Sequence, residues 1–260
     1  MSVHLVAPAK LTLSLRVTGV RADGLHLIDA EMVSLDLVDE LDLTDVGPPA
    51  DGAESSLTIV DAATGAPHEV DAGPDNLVLR ALHLVGRVAS VRLAKRIPPG
   101  AGLGGGSSDA AAILRWAGWT DLEAAARLGA DIAYCLVGGR ARVRGIGELV
   151  EPLAFEARTL TLLTPPFGCS TPAVYRAWDD LGGPTADGPN DLEAAALAVQ
   201  PDLARYRDLL GDASGRTPHL AGSGSTWFVD GAHPGEGRVV AVTVPAPGAP
   251  MSGGTDAALG

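Results

Sequence analysis

The sequence is sparing with cysteine, lysine and aromatic side chains: among 260 residues there are two cysteines and two lysines, and aromatic residues make up 4%. Cys135 and Cys169 have neither the spacing of a metal site nor that of a disulfide framework, and both read as core thiols. Cationic charge is also short, with a formal net charge of −13, which opposes binding to a polyanion, so nucleic acid is not expected as a partner. No apolar run reaches the length of a membrane span, and the N-terminus lacks the charged region and long apolar core of a secretory signal. The expectation is a cytoplasmic protein without membrane contact. Where lysine is so rare, Lys10 is not one of a solvating crowd, and its placement carries information. What the chain has in quantity is apolar residues, at 46%, enough for a packed core, together with 33 glycines.

The glycines concentrate in residues 97–112, Ile-Pro-Pro-Gly-Ala-Gly-Leu-Gly-Gly-Gly-Ser-Ser-Asp-Ala-Ala-Ala. Five glycines from Gly100 to Gly106 leave a run of backbone N–H groups unshielded by Cβ, and Ser107, Ser108 and Asp109 then open an alanine-rich helix. Exposed amides and the positive end of a helix dipole together favour an anion with several oxygens, such as the phosphates of a nucleotide. A Walker loop is excluded, because Ser107 stands where that motif needs lysine. Gly100, Gly102 and Gly105 fit the spacing of a dinucleotide-binding turn, but Pro98-Pro99 intervene where a buried strand should lead directly into it.

Around this loop the pattern predicts an α+β chain. Alternation of Leu11, Leu13, Leu15 and Val17 with polar residues predicts a strand following one at 3–6. A strand pair is expected over 31–43, a polar loop over 45–56, and a helix from Leu77 capped by Asp75-Asn76. A short strand at 91–94 runs into the glycine loop, and the following helix is expected to start at Ser108 and end near Gly118. Thr120-Asp121-Leu122-Glu123 spells a capping box. Asp131 then opens a brief helix, where the positive end of the dipole favours its charged form. Strands are expected at 140–144, 159–163 and 239–244, and a strand, small-residue loop and strand over 220–229. Helices are expected over 172–181, over 191–199 started by Asn190 or Asp191, and over 202–210.

The string P-P-G-A-G-L-G-G-G-S-S-D-A-A-A resembles the second motif of the small-metabolite kinases that include galactokinase, homoserine kinase and mevalonate kinase, the GHMP kinases. Further stretches narrow this. Ala-Pro-Ala-Lys10-Leu-Thr-Leu, Arg21-Ala-Asp-Gly-Leu-His26, Gly-Ala-Asp131, Gly188-Pro-Asn-Asp-Leu-Glu193 and Leu-Ala-Gly-Ser-Gly-Ser, in this order and spacing, resemble the family of 4-diphosphocytidyl-2-C-methyl-D-erythritol kinases over residues 5–229. That family phosphorylates the 2-hydroxyl of its substrate with ATP in the non-mevalonate isoprenoid pathway.

The resemblance implies a two-domain fold: residues 1–152 as an ATP-binding domain of mixed sheet with helices, and 153–245 as a smaller substrate domain of helices on an antiparallel sheet. Residues 246–260 are expected to be a disordered tail. It implies Lys10 and Asp131 as the catalytic pair, with Asp131 taking the alcohol proton and Lys10 offsetting charge on the transferred phosphoryl group. ATP would be bound by Pro99, Gly100, Gly102, Leu103, Gly104, Gly105, Gly106, Ser107 and Ser108, with Gly222 and Ser223 folding back beside its phosphates. Ser108 would touch the phosphate or its Mg2+, and Asp109 would lie near the metal. The substrate, a cytidyl diphosphate sugar alcohol, would be held by His26, Leu25, Tyr175 and Thr12, with His26 reading the cytosine edge. A monomer or weak homodimer is expected.

Departures from the family pattern bear on the substrate rather than the reaction. Leu25 stands where a stacking tyrosine is usual, which weakens the grip on a base, and Tyr175 offers partial compensation. Thr12 replaces asparagine and Ala133 replaces proline, and residues 230–237 are too short and too rich in glycine and proline for the helix that usually follows the third motif. Two alternatives remain open at this point: a GHMP-type kinase of another small alcohol, and a non-catalytic nucleotide-binding relative.

Overall fold

The computed structural model describes residues 2–50 and 52–248. Its backbone is an α+β arrangement built on two long strands. β1 (Ser2–Val20) and β2 (His26–Gly47) form an antiparallel hairpin joined by a loop at residues 21–25. The expected strand pair over 31–43 is therefore one continuous strand. Asp39-Glu40, between the two expected strands, stays extended: the Asp39 carboxylate, fully buried, accepts hydrogen bonds from the backbone N–H groups of Arg96 and Ile97.

One edge of β2 carries β1. The other edge is shared end to end by three strands: β5 (Arg140–Gly145) along residues 28–33, the end of β10 (Arg238–Val244) at Ser34 and Leu35, and β4 (Val88–Lys95) along residues 40–47. β3 (Ser56–Asp61) adds in parallel to β4, and β6 (Leu149–Pro152) pairs with β5. β10 also pairs with β7 (Thr159–Leu163), which pairs with β9 (Trp227–Asp230), followed by β8 (His219–Leu220). All ten strands thus belong to one mixed sheet, continuous through β10. The segment 231–237 crosses from β9 to β10 as an irregular loop, held by the Gly231 N–H on Thr159 O and the His233 N–H on Thr161 Oγ1, both on β7.

Helices α1 (Leu77–Leu84), α2 (Gly105–Trp116), α3 (Leu122–Leu128) and α4 (Ile132–Val137) pack on one another, and α2 lies on β1. Asn76 caps α1 as expected, its side-chain oxygen accepting from the Val78 N–H. α3 is capped by Asp121, whose carboxylate accepts from Ala124 N, so the expected Thr120 box is displaced by one residue. α5 (Thr171–Asp180), α6 (Glu193–Val199) and α7 (Leu203–Ser214) cover the other half of the sheet.

The N-cap of α6 is Leu192, whose N–H donates to Asn190 Oδ1 at 3.0 Å just ahead of the helix. Asn190 also reaches back to β1 through a bridge with Leu15, and its amide nitrogen donates to Leu220 O and Gly222 O. Asp191 accepts from Arg16 at 2.7 Å and from the backbone N–H groups of Val17 and Ala186 at 2.9 Å. A larger apolar core fills the space between sheet and helices. A second gathers Ala9, Leu11, Val33, Leu35, Leu160, Leu162, Phe228 and Ala241 around Ile97, Ala101 and Leu103, anchoring the glycine loop to the sheet. The tail is placed up to Gly248, with Ala246 and Pro247 against Gly139 and Gly138, so disorder does not begin at 246; 249–260 lie outside the described residues. Cys135 is buried as expected, whereas Cys169 is only partly so.

Asp191→Ala removes one carboxylate that serves an arginine and two backbone amides at a buried position. We expect a loss of about 2 kcal/mol, seen as a lower urea midpoint with an unchanged slope.

Candidate active site

β1 breaks register with β2 between Pro8 and Lys10, where proline cannot donate to the ladder. The break frees the Lys10 N–H, which donates to Leu103 O at 2.9 Å and seats the glycine loop directly on the strand. The fit is close. A Cβ built on Gly104, whose φ is +66°, would lie 2.5 Å from Lys10 Cγ, and one on Gly102 would lie 2.5 Å from Gly224 O. Only glycine allows the loop to touch β1 on one side and the 221–226 loop on the other.

α2 starts at Gly105, three residues ahead of the expected Ser108, with left-handed Gly104 as its N-cap. Its first intrahelical bond runs from Ser108 N–H to Gly104 O, so the amides of Gly105, Gly106 and Ser107 donate to no carbonyl among the described residues. These amides and the helix dipole face a cavity of about 550 Å³ bounded by Pro99, Gly100, Gly102, Asn76 and Lys95.

A second cavity, of about 490 Å³, adjoins it, and Gly102 lines both. Here Lys10, 6% exposed, places Nζ 3.1 Å from Asp131 Oδ2 and 3.3 Å from Thr12 Oγ1. Asp131 stands just before α4 but makes no side-chain cap, and its carboxylate turns to the lysine instead. Gly222 and Ser223 line the same cavity, held there by Asn190 from below and by a 2.8 Å hydrogen bond between Ser223 and Thr171 at the start of α5.

Away from this ion pair the cavity is lined by Leu25, His26, Tyr175 and Asp179. His26 is gripped by α5: its ring centroid is 4.7 Å from that of Tyr175 and 5.7 Å from that of Trp178, and Nε2 lies 2.8 Å from Asp179 Oδ1. Tyr175 therefore packs on the imidazole itself, while Leu25 is half exposed. Burial, and after it the charge of Asp131, raises the Tyr175 hydroxyl above its ordinary value, so it stays protonated as a donor.

Most of the residues singled out from sequence come together here. Two do not present their side chains to either cavity. The Leu103 side chain is packed in the second core, so this residue serves the loop as an anchor. Ser108 is 1% exposed, and its hydroxyl donates to Pro8 O at 2.7 Å. Asp109, expected near a metal, is bound to Lys95 Nζ at 2.8 Å.

Sequence reasoning missed the cluster to which that contact belongs. Lys95 also donates to Asp39 Oδ2 at 2.5 Å, and all three side chains are buried. Two carboxylates share one ammonium. Asp39 has two further backbone donors, whereas Asp109 Oδ1 has no partner. Burial accordingly pushes the Asp109 carboxyl up, to about 7, with Lys95 opposing and Asp39 adding to the rise. Burial works against the Lys95 charge, yet Asp109 and Asp39 hold its pKa above the usual lysine value. The rarity of lysine was the available signal, and it applied to Lys95 as much as to Lys10.

Residues 76–140 match the GHMP kinases N terminal domain. A 4-diphosphocytidyl-2-C-methyl-D-erythritol kinase from Paracoccus denitrificans is 39% identical over 85% of this chain and 84% of its own length. The chain belongs to the 4-diphosphocytidyl-2-C-methyl-D-erythritol kinase family. A second kinase of that name, from Ruegeria pomeroyi, is 37% identical over 92% of this chain and 91% of its own. The crystal structure of a 4-(cytidine 5'-diphospho)-2C-methyl-D-erythritol kinase superposes with a TM-score of 0.72 at 29% identity, covering 93% of this chain and 99% of that one. Homoserine kinase from Cytophaga hutchinsonii, at 16% identity and a TM-score of 0.57, shares the fold, the GHMP-kinase α+β architecture.

Lys95→Met in this kinase leaves two buried carboxylates without their cation. We expect a loss of about 3–5 kcal/mol in guanidinium unfolding, far more than a surface lysine would cost.

Proposed function

We propose that this kinase transfers the γ-phosphoryl group of ATP to the 2-hydroxyl of 4-diphosphocytidyl-2-C-methyl-D-erythritol, in the non-mevalonate route to isoprenoid precursors. The observation that carries the reading is the Lys10–Asp131 pair, 3.1 Å apart, beside a glycine loop that borders two cavities. One cavity offers helix-start amides suited to phosphates. The other offers, at its far end, an imidazole edge and aromatic wall suited to a base.

In this reading Asp131 accepts the proton as the hydroxyl oxygen attacks the γ-phosphorus. The new O–P bond forms while the bond to the β-phosphate bridging oxygen breaks, and ADP leaves. Lys10 holds the carboxylate in line, and its charge offsets that building on the transferred group. Its stem is confined by Gly104, so the ammonium has little freedom to leave this position. The amides of Gly105, Gly106 and Ser107 hold the ATP phosphates, Pro99, Gly100 and Gly102 complete the wall, and Gly222 and Ser223 close it from the substrate side.

Mg2+ bound with ATP would supply neutralisation of phosphate charge. Among the described residues no group of three or more His, Cys, Asp or Glu could hold a metal by itself, and Ser108, with its hydroxyl on Pro8, does not fit as a ligand. No helix among the described residues is long and apolar enough to cross a membrane. Two free cysteines suit a reducing compartment, and we place the enzyme in the cytoplasm. We retain residues 1–152 and 153–245 as the nucleotide and substrate domains of a monomer or weak homodimer.

ADP release with magnesium-ATP and the cytidyl substrate tests the proposal. Turnover is expected with the wild type, and Asp131→Asn should lower kcat by about 10²–10⁴-fold with ATP binding retained by calorimetry. Turnover only on mevalonate or homoserine would move the assignment to another alcohol within the GHMP kinases, and ATP binding without turnover on any alcohol would leave a nucleotide-binding relative.

A further inference from the structure

The grip of α5 on His26 has a chemical direction. The imidazole is fixed on its face by Tyr175 and at its edge by Trp178, and Nε2 is 2.8 Å from Asp179 Oδ1. An ionised carboxylate only accepts, so this contact needs the ring proton on Nε2. A neutral imidazole with its proton on Nε2 has a lone pair on Nδ1. No described residue hydrogen-bonds to Nδ1, and His26 lines the cavity.

We propose that Asp179 is a specificity-determining positioning residue: by holding the proton of His26 on Nε2, it makes Nδ1 an acceptor and so selects a nucleotide base that presents an amino group over one that presents a carbonyl. The inference rests on the reading of the His26 end of the cavity as the base site. Cytosine carries a 4-amino donor where uracil carries a 4-oxo acceptor. An acceptor nitrogen pairs with the first and repels the second, and discrimination built on an unmatched buried polar group is stronger than discrimination by shape. This matters more here than it would with a tyrosine at position 25, because Leu25 gives a base apolar contact without aromatic stacking and leaves more of the selection to the hydrogen-bonding edge.

Asp179 makes no contact with Lys10 or Asp131 among the described residues, so the ion pair at the other end of the cavity keeps its geometry when Asp179 is changed. The position is half exposed in the last turn of a helix, where alanine is well tolerated.

The test combines 15N histidine NMR of the ligand-free enzyme with titrations of CDP and UDP, on the wild type and on Asp179→Ala and Asp179→Asn. Wild type should show His26 with Nε2 protonated and Nδ1 of acceptor type, and should bind CDP at least roughly tenfold more tightly than UDP. Asp179→Ala should mix or reverse the tautomer and bring the two affinities within about threefold. Asp179→Asn, whose amide oxygen still accepts from Nε2–H, should restore both. An unchanged tautomer in the alanine variant, a doubly protonated His26 in the wild type, or a preference for CDP that survives in Asp179→Ala would overturn the proposal. None of these readouts needs turnover. Failure of the kinase reading would show separately, as absent ADP release by a wild type whose His26 signals still respond to CDP.

Discussion

Everything in the active site depends on how closely the glycine loop can approach β1. The Lys10 N–H reaches Leu103 O because Pro8 releases the strand from its neighbour, and the Lys10 stem lies against Gly104 because no Cβ stands between them. On its far side the loop meets the 221–226 turn, where Thr226 N–H donates to Ala101 O and Gly102 leaves room for Gly224. Three segments far apart in sequence are thus brought together by backbone contact, with Leu103, Ala101 and Ile97 sunk into a core beneath them. The Lys10–Asp131 pair inherits its position from this stack. Lys10 has no freedom to drift, and Asp131 needs only to start its helix beside it.

The Asp39–Lys95–Asp109 cluster ties the same loop to the sheet from the opposite side. Asp39 binds the two amides at the loop entrance, and Lys95 joins it to the first turns of α2. Burying three ionisable groups is costly, and an apolar replacement of similar volume could be equally stable. What the charges add is direction. Hydrogen bonds fix the angle at which the loop leaves β4 and enters α2, which close-packed methyl groups would leave softer. The orphaned oxygen of Asp109 marks where this network is incomplete in itself.

Much of this was legible in the sequence, for a physical reason: the residues at issue are those whose local chemistry is unusual. Five glycines within seven residues, a lysine after a strand proline and an aspartate between a glycine-alanine pair and a helix each depart from ordinary composition, and the structure brings all three together around the two cavities. Helix and strand positions followed the apolar periodicity well. The failures share a cause, in that long-range partners are invisible to local pattern. The strand over 31–43 read as a pair because the three hydrogen-bond donors that hold Asp39 at its middle lie more than fifty residues away. Asn190 and Asp191 read as helix starters, and Asn190 Oδ1 does accept from the Leu192 N–H, but the Asn190 amide nitrogen serves the backbone at 220–222 and the Asp191 carboxylate serves β1. Tyr175 lines the cavity as expected, but its packing on His26, from a helix some 150 residues away, had no local signal. Asp179 had no local signal at all, since its partner is 153 residues distant.

The place of β10 in the sheet has a consequence for how the protein is made. It touches β2 at Ser34 and Leu35 and runs the length of β7, so a strand near the C-terminal end closes the gap between strands formed much earlier. On the ribosome, the hairpin of β1 and β2 emerges with one edge unfilled at its middle and waits for some two hundred residues of chain. Until residues 238–244 leave the exit tunnel, β7 lacks one neighbour and the two halves of the sheet have no shared strand. The continuous sheet is therefore completed late along the chain, slow by reason of the loop it must close, and truncation within β10 would leave Lys10 and Asp131 in the chain without the strand that joins the two halves of their frame.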